Sequence, residues 1–421
     1  MNKLYVVARD GSGDFTTIQE AIDAVPEGFR SPTILLLRAD AYHERVIVNK
    51  DNLRIIGEDR DRTVITYSAC AKDLDENGQE KGTFLSYTML VTGRNVEVEN
   101  LTIRNDAGDG RQVGQAVAVY AAGDRGVWRN CRMIAHQDTL FCGPTMPLVQ
   151  QDALPHVIPE GVPAVNEPLF VNGRQYFEDC FIQGDVDFIF GSYRCWFERC
   201  TLFMNERGGW YTAANTPKSS PHGFVFHRCR LTGACAEGAA YLGRPWRAWA
   251  RTVFLGCEMD ERVHPQGFAD WDGGRPVTDL YGEHGTTGAR ADQSTRHPKQ
   301  KRLTDAEAAL LTMDEVISGY DQWHPDRRVP TWFLCGDESL RGSAAQLSCR
   351  DTFVQDCTAD GCSPRAFADQ QLKLMELCLR PGDRLVIGFA AHGADDAACL
   401  DMLVEAAHRH QAEPLILNAQ K

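Results

Sequence analysis

Hydrophobic and polar positions along the middle of the chain recur in one unit: an aromatic residue, two others, a cysteine, then alternating apolar residues. The unit stands at Trp128–Cys131, Phe177–Cys180, Phe197–Cys200, Phe226–Cys229 and Phe254–Cys257. The cysteines are spaced 49, 20, 29 and 28 residues apart. Strand-like runs accompany them, as in CRMIAH (131–136), CFIQGDVDFIF (180–190) and CTLFM (200–204). The earlier run NVEVENLTIRN (95–105) has the same form, with Leu101 in the cysteine slot. Repeats of this length, rich in short strands, predict a solenoid. One strand stacked per coil makes a parallel β-helix, and equivalent side chains then pile up inside as ladders. Small apolar cysteines suit such a ladder, so their role is read as packing rather than redox or metal chemistry.

Ahead of the repeats, residues 12–25 (SGDFTTIQEAIDAV) read as a capped amphipathic helix with Phe15, Ile18, Ala21, Ile22 and Val25 on one face. A helix there would cover the open end of the solenoid. ILLL (34–37), VIV (46–48) and NLRIIG (52–57) fit the first coils. Beyond about residue 290 the pattern changes to a polar, then helical stretch, with a linker expected over 301–328. From 329 to 421 strand–turn and helix–strand runs alternate in an α/β manner. The expectation is an all-β, right-handed single-stranded parallel β-helix over residues 1–300, with an N-terminal capping helix. A small α/β fragment follows.

Composition narrows the function. The 421 residues are 43% apolar and 24% charged, as in ordinary globular proteins, and carry a net charge of −14. That charge argues against general nucleic-acid binding. No run reaches the ~18 apolar residues of a membrane span. Residues 1–10 (MNKLYVVARD) read as a strand rather than a signal peptide, which points to a cytoplasmic location, or a secreted one if the N-terminus is incomplete. Fifteen cysteines without an export signal then suggest reduced thiols, and the absence of any CxxC pair speaks against zinc. No cofactor or metal is expected, and the chain is expected to act as a monomer.

Four segments set polar residues into apolar strand context: Gly114–Val119, His136–Leu140, Gly184–Gly191 and Leu242–Trp246. On adjacent coils, two carboxylates, two amides, a guanidinium and an indole could share one face. QAVAV (115–119), HQDTLF (136–141), DVDFIFG (185–191) and LGRPW (242–246) resemble the signature blocks of the pectin methylesterase family. DGSGDFTTIQEAIDAVP (10–26) and GTF (82–84) are similar to its N-terminal landmarks. The resemblance runs from about residue 4 to about 290, and it implies a right-handed parallel β-helix.

By that resemblance Asp187 is the nucleophile of a methyl-ester hydrolysis. Asp138 is the acid that protonates methanol and later the base for water, and Arg244 holds Asp187 ionised. Gln115 and Gln137 donate to the oxyanion. Trp246 is expected to stack on a sugar ring, and Thr83, Phe141, Val186 and Phe190 match positions lining the family's groove. The implied substrate is methyl-esterified homogalacturonan or its oligogalacturonides. Successive strand residues face opposite sides, so Gln137 and Asp138 can both reach the cleft only if the chain bends there. Asp185, two residues from Asp187, reads as a solvated surface carboxylate. Residues 143–174 form an insertion relative to short family members and are expected beside the cleft.

The C-terminal segment is similar to part of an SGNH-type (flavodoxin-like) esterase near the rhamnogalacturonan acetylesterases. Glu338 stands where the serine is expected, with Ser339 displaced by one, and His392 and Asp395 replace an Asn-Asp pair. This segment is expected to be inactive. Two other classes fit a pair of carboxylates on a β-helix. One is a pectin-backbone hydrolase or lyase; the other is a non-catalytic polygalacturonate-binding module.

Overall fold

The computed structural model describes residues 3–26, 33–144, 173–272, 274–278, 280–319, 321, 323–325, 332–335, 352–355, 368, 372, 375, 384–389, 394–409 and 413–418. The chain winds as a right-handed parallel β-helix with three long parallel sheets of eleven, six and eight strands. Each strand pairs with its counterparts one coil before and one coil after; Gly126–Arg129, for example, lies between Glu97–Glu99 and Arg174–Glu178.

The aromatic–x–x–Cys unit turns the chain from the eleven-stranded sheet into the eight-stranded one. The residue before each cysteine, or before Leu101, takes up a left-handed conformation. These residues are Asn100 (φ 57°), Asn130 (48°), Asp179 (52°), Arg199 (50°), Arg228 (53°) and Gly256 (60°). That bend lets the aromatic and the cysteine both point inward. The rings of Trp128, Phe177, Phe197, Phe226 and Phe254 form one column, with successive centroids 6.0, 4.5, 4.4 and 4.7 Å apart and near-parallel planes. The thiols of Cys131, Cys180, Cys200, Cys229 and Cys257 form a second, fully buried column. From Cys180 onward, each thiol donates to the carbonyl of the preceding coil's aromatic residue, at 3.4–3.6 Å.

Left-handed backbone costs an ordinary L-residue about 1–2 kcal/mol, and asparagine tolerates it best after glycine. Arg199 is compensated by hydrogen bonds to Glu178 and Asp179, whereas the exposed Arg228 makes no side-chain hydrogen bond among the described residues. Arg228→Asn is therefore expected to stabilise the fold by about 1 kcal/mol, read as a higher urea midpoint at unchanged slope. An unchanged or lower midpoint would contradict this account of the turn.

The N-terminal helix is shorter than the sequence pattern predicts. It spans Ile18–Asp23, capped by Thr17, with Ile18, Ala21, Ile22 and Val25 buried over the first coils. Residues 12–17 form a turn instead, because the N–H groups of Asp14 and Phe15 both donate to Val6 O. Gly13 permits this approach, since a Cβ there would lie 2.5 Å from Val6 O.

The stretch expected as a linker is packed on the barrel. Lys301–Arg302 adds a last strand to the eleven-stranded sheet. Val316 and Ile317 are buried against Val127, Tyr176, Trp196, Val225 and Leu255 on that sheet's outer face. Farther on, four parallel strands form a sheet in the order Thr352–Gln355, Trp332–Cys335, Arg384–Phe389, Glu413–Asn418, with helix Ala394–Arg409 between the last two in sequence. Cys399, Leu403, Ala406 and Ala407 of this helix pack with Ala368 and Met375 against Ile34, Leu36 and Ile56. Strand Thr33–Leu37 is consequently buried on both faces, which explains its unbroken apolar run. Glu338, Ser339 and His392 lie outside the described residues, as do residues 145–172 of the expected insertion. No described helix is long and apolar enough to cross a membrane.

Candidate active site

Strand register brings the two aspartates together. Leu140–Cys142 pairs with Ile189–Gly191, Leu140 opposite Ile189. Asp138 and Asp187 each precede these strands by two residues, so they occupy equivalent places on adjacent coils, which are spaced about 4.8 Å apart. Both have positive φ, 66° at Asp138 and 52° at Asp187. This is the bend that the geometry of Gln137 and Asp138 required. It removes both segments from strand alternation and turns both carboxylates to one side.

Asp187 is 7% exposed and is gripped by Arg244 through two parallel bonds, Nε to Oδ1 and Nη2 to Oδ2, each 2.9 Å. The guanidinium carbon also lies over two indoles, 3.7 Å from the centroid of Trp210 and 4.4 Å from that of Trp271. Its remaining edge donates from Nη1 to Asp272 at 2.8 Å, whose carboxylate is 83% exposed. Gly243 lets Arg244 approach the preceding coil: a Cβ there would lie 2.0 Å from Thr212 Oγ1. Such a fork-to-fork pair is far stronger than a point contact with lysine would be.

Asp138 is as buried as Asp187, at 8% exposure, but its carboxyl makes no hydrogen bond among the described residues. Burial pushes it well above the usual carboxylate range, and the Asp187 charge adds to that rise against the pull of Arg244. Burial also raises Asp187, but there the Arg244 hydrogen bonds and charge oppose it. The rise is therefore the stronger at Asp138, and the Arg244 fork favours the charged form of Asp187.

The remaining expected site residues lie on the same and neighbouring coils. Gln115 and Gln137 are half-buried on successive coils, joined where Ala116 N–H donates to Gln137 O. Neither amide side chain has a hydrogen-bond partner among the described residues. Phe141, Phe190 and Trp246 form an aromatic row, at 4.7 and 5.9 Å, that lies outside the barrel interior; Phe84 extends it 5.1 Å from Phe141. Thr83 opens the short 3-10 turn Thr83–Leu85 that carries Phe84. Val186 sits between the aspartates, its carbonyl accepting from Asp138 N–H at 3.1 Å.

One expectation is overturned. Asp185 is not a solvated surface carboxylate: it is fully buried, accepting from Val186 N–H at 2.8 Å and lying 3.1 Å from His136 Nδ1 and 3.7 Å from Arg207 Nη1. Strand alternation misplaces it because residues 185–187 form a bend. Trp210, Trp271 and Asp272 were missed altogether. For Trp210 a signal existed: it precedes strand Thr212–Ala214 by two residues, the offset at which Asp138 and Asp187 precede theirs.

Comparison with known proteins agrees with this fold. A family model described as Pectinesterase matches residues 4–145 and 162–320, well over half of the chain. Probable pectinesterase/pectinesterase inhibitor 23 of Arabidopsis thaliana is 32% identical over 341 residues, 77% of this chain and 54% of that protein, so the chain spans about half of that relative's length. Pectinesterase 31 of Arabidopsis thaliana is 32% identical over 311 residues, 72% of this chain and 88% of that one. A solved pectin methylesterase in complex with a hexasaccharide is 27% identical, with a TM-score of 0.61 over 76% of this chain and 97% of its own. The expected cytoplasmic location finds no support in these plant relatives. The matched residues stop at 320, so the SGNH-type resemblance of the C-terminal segment is likewise unsupported. With its β-helix, its signature blocks at adjacent turns and these matches, the chain belongs to the pectinesterase family.

Proposed function

We propose that this protein hydrolyses the methyl esters of galacturonate in homogalacturonan or its oligogalacturonides, releasing methanol. The observation that carries the reading is a buried carboxylate held in the Arg244 fork, Asp187, one coil from a second buried carboxyl, Asp138, that has no hydrogen-bond partner among the described residues. A nucleophile and an acid are what a poor methoxide leaving group demands.

In this reading an Asp187 oxygen attacks the ester carbonyl. The carbonyl oxygen takes up negative charge, met by N–H donors of Gln115 and Gln137. The carbon–methoxide bond then breaks as Asp138 delivers its proton to the departing methoxide, leaving a mixed anhydride on Asp187. Water attacks the anhydride, giving its proton to Asp138. Galacturonate leaves and Asp187 is restored as a carboxylate. Arg244 keeps Asp187 charged and aimed throughout, and its contacts with the Trp210 and Trp271 rings restrict it beforehand, so it loses little freedom on doing so. Trp246, Phe190 and Phe141 offer apolar faces for pyranose rings, with Thr83 and Val186 at the margins. The hexasaccharide held by a solved relative supports an oligosaccharide-sized groove. We take residues 1–300 as the catalytic unit, working as a monomer, with 301–328 a linker whose Val316 and Ile317 pack on its flank and 329–421 a non-catalytic addition.

The test is methanol release from methyl-esterified oligogalacturonides with chain length followed in parallel. Methanol with constant chain length is expected. New reducing ends or unsaturated ends would replace the reading with a backbone hydrolase or lyase; tight binding without methanol would replace it with a binding module.

A further inference from the structure

The buried carboxylate of Asp185 has no part in the scheme above, yet it sits where three coils meet. Its N–H donates to His136 O on the coil before, at 3.0 Å, and its carbonyl accepts from Trp210 N–H on the coil after, at 3.1 Å. The side chain repeats that span: Oδ2 lies 3.1 Å from His136 Nδ1 and Oδ1 lies 3.7 Å from Arg207 Nη1. Each of these coils carries one component of the site close by. His136 is two residues from Asp138, Asp185 is two from Asp187, and Arg207 is three from Trp210, the indole under Arg244. Asn205 Nδ2 secures the same corner by donating to Ala135 O. A charge this deeply buried costs several kcal/mol to desolvate and is retained only with partners. An uncharged residue here would hold the coils by the same backbone bonds without that cost.

We infer that Asp185, clasped by His136 and Arg207, is a positioning residue for the Asp138–Asp187 pair, fixing three successive turns in register and placing a negative charge beside Asp138. The inference rests on the esterase reading for its catalytic consequence, but its electrostatic content stands apart from turnover. The ionisable groups facing Asp185 are His136 and Arg207 directly, with Asp138 and Arg111 farther off. Those facing His136 are Asp185, Asp109 and Arg111. Those facing Asp138 are Asp187, Arg244 and Asp185. Burial and then the Asp187 charge push Asp138 upward against the pull of Arg244, and the Asp185 charge adds to that rise; the Asp185 hydrogen bond favours the cationic form of His136. Removing the anion should therefore release the Asp138 proton at lower pH. Removing only the His136 cation should leave that anion less balanced and move the release to higher pH.

The experiment titrates the carboxylic C=O stretch of Asp138 by infrared difference spectroscopy, the band being identified by its loss in Asp138→Asn. It compares the unaltered chain with Asp185→Asn, Asp185→Thr and His136→Gln, alongside methanol-release kinetics. The expected result is a midpoint lowered in both Asp185 variants and raised in His136→Gln. For Asp185→Asn, kcat should fall roughly 10- to 100-fold with KM within about threefold, the pattern of lost transition-state positioning. Midpoints that stay put, or that move the same way in all variants, would overturn the inference whatever happens to Tm. Should the unaltered chain release no methanol, the esterase reading alone falls, and the infrared midpoints still decide this one.

Discussion

Replacing Asp187 by alanine is expected to slow methanol release by at least ~10⁴-fold, since removal of a nucleophile leaves only binding and oxyanion stabilisation. The fold should survive. Arg244 keeps Asp272 as an anionic partner and its contacts with the Trp210 and Trp271 rings, so its charge is not stranded. The two aspartates are close and equally buried, which makes the assignment of nucleophile a question of charge. Asp187 has both guanidinium bonds and Asp138 has none. An enzyme in which Asp138 attacked and Asp187 merely steered would lose far less on this substitution. Single-turnover methanol release by Asp187→Ala, with near-ultraviolet circular dichroism to check the fold, measures this. A rate within about tenfold of the unaltered chain would reverse the two roles.

The parts of this structure legible in the sequence are those that repeat. Five aromatic–x–x–Cys units spell out two interior columns because a β-helix places the same side chain at the same spot on every coil. The site was reachable through its family blocks, and once those blocks put both Gln137 and Asp138 in the cleft, strand alternation required a bend there. What escaped are residues that occur once. Trp271 and Asp272 belong to a loop that folds back onto Arg244, held where Trp271 N–H donates to Arg275 O and Arg275 to Trp246 O. No periodicity announces such a loop. Asp185 was misread for the opposite reason, because a regular period was applied where the chain leaves it. The helix at Ala394–Arg409 was read correctly as a helix, but nothing in its own pattern says that its apolar stripe rests on Ile34, Leu36 and Ile56. Partners hundreds of residues apart are set by the tertiary fold.

Asp138 carries the second large effect, and it should appear in activity and stability with opposite signs. Asp138→Asn removes the proton donor for methanol and the acceptor for water, so kcat should fall by roughly 10²–10⁴. The same change should stabilise the protein at neutral pH. A carboxyl whose folded pKa lies above its unfolded value contributes most below the unfolded value, near pH 4, where both states hold the proton. As pH rises, the unfolded chain ionises first and gains over the folded one, until pH passes the raised folded value. Asparagine keeps the shape without that penalty. The difference in Tm between Asp138→Asn and the unaltered chain should therefore be small at pH 4 and grow toward pH 7–8, in favour of the variant. A difference independent of pH would mean that Asp138 ionises in the folded protein as readily as in water. The acid–base role would then lose its physical basis, because a carboxylate already ionised at neutral pH has no proton to lend to methoxide.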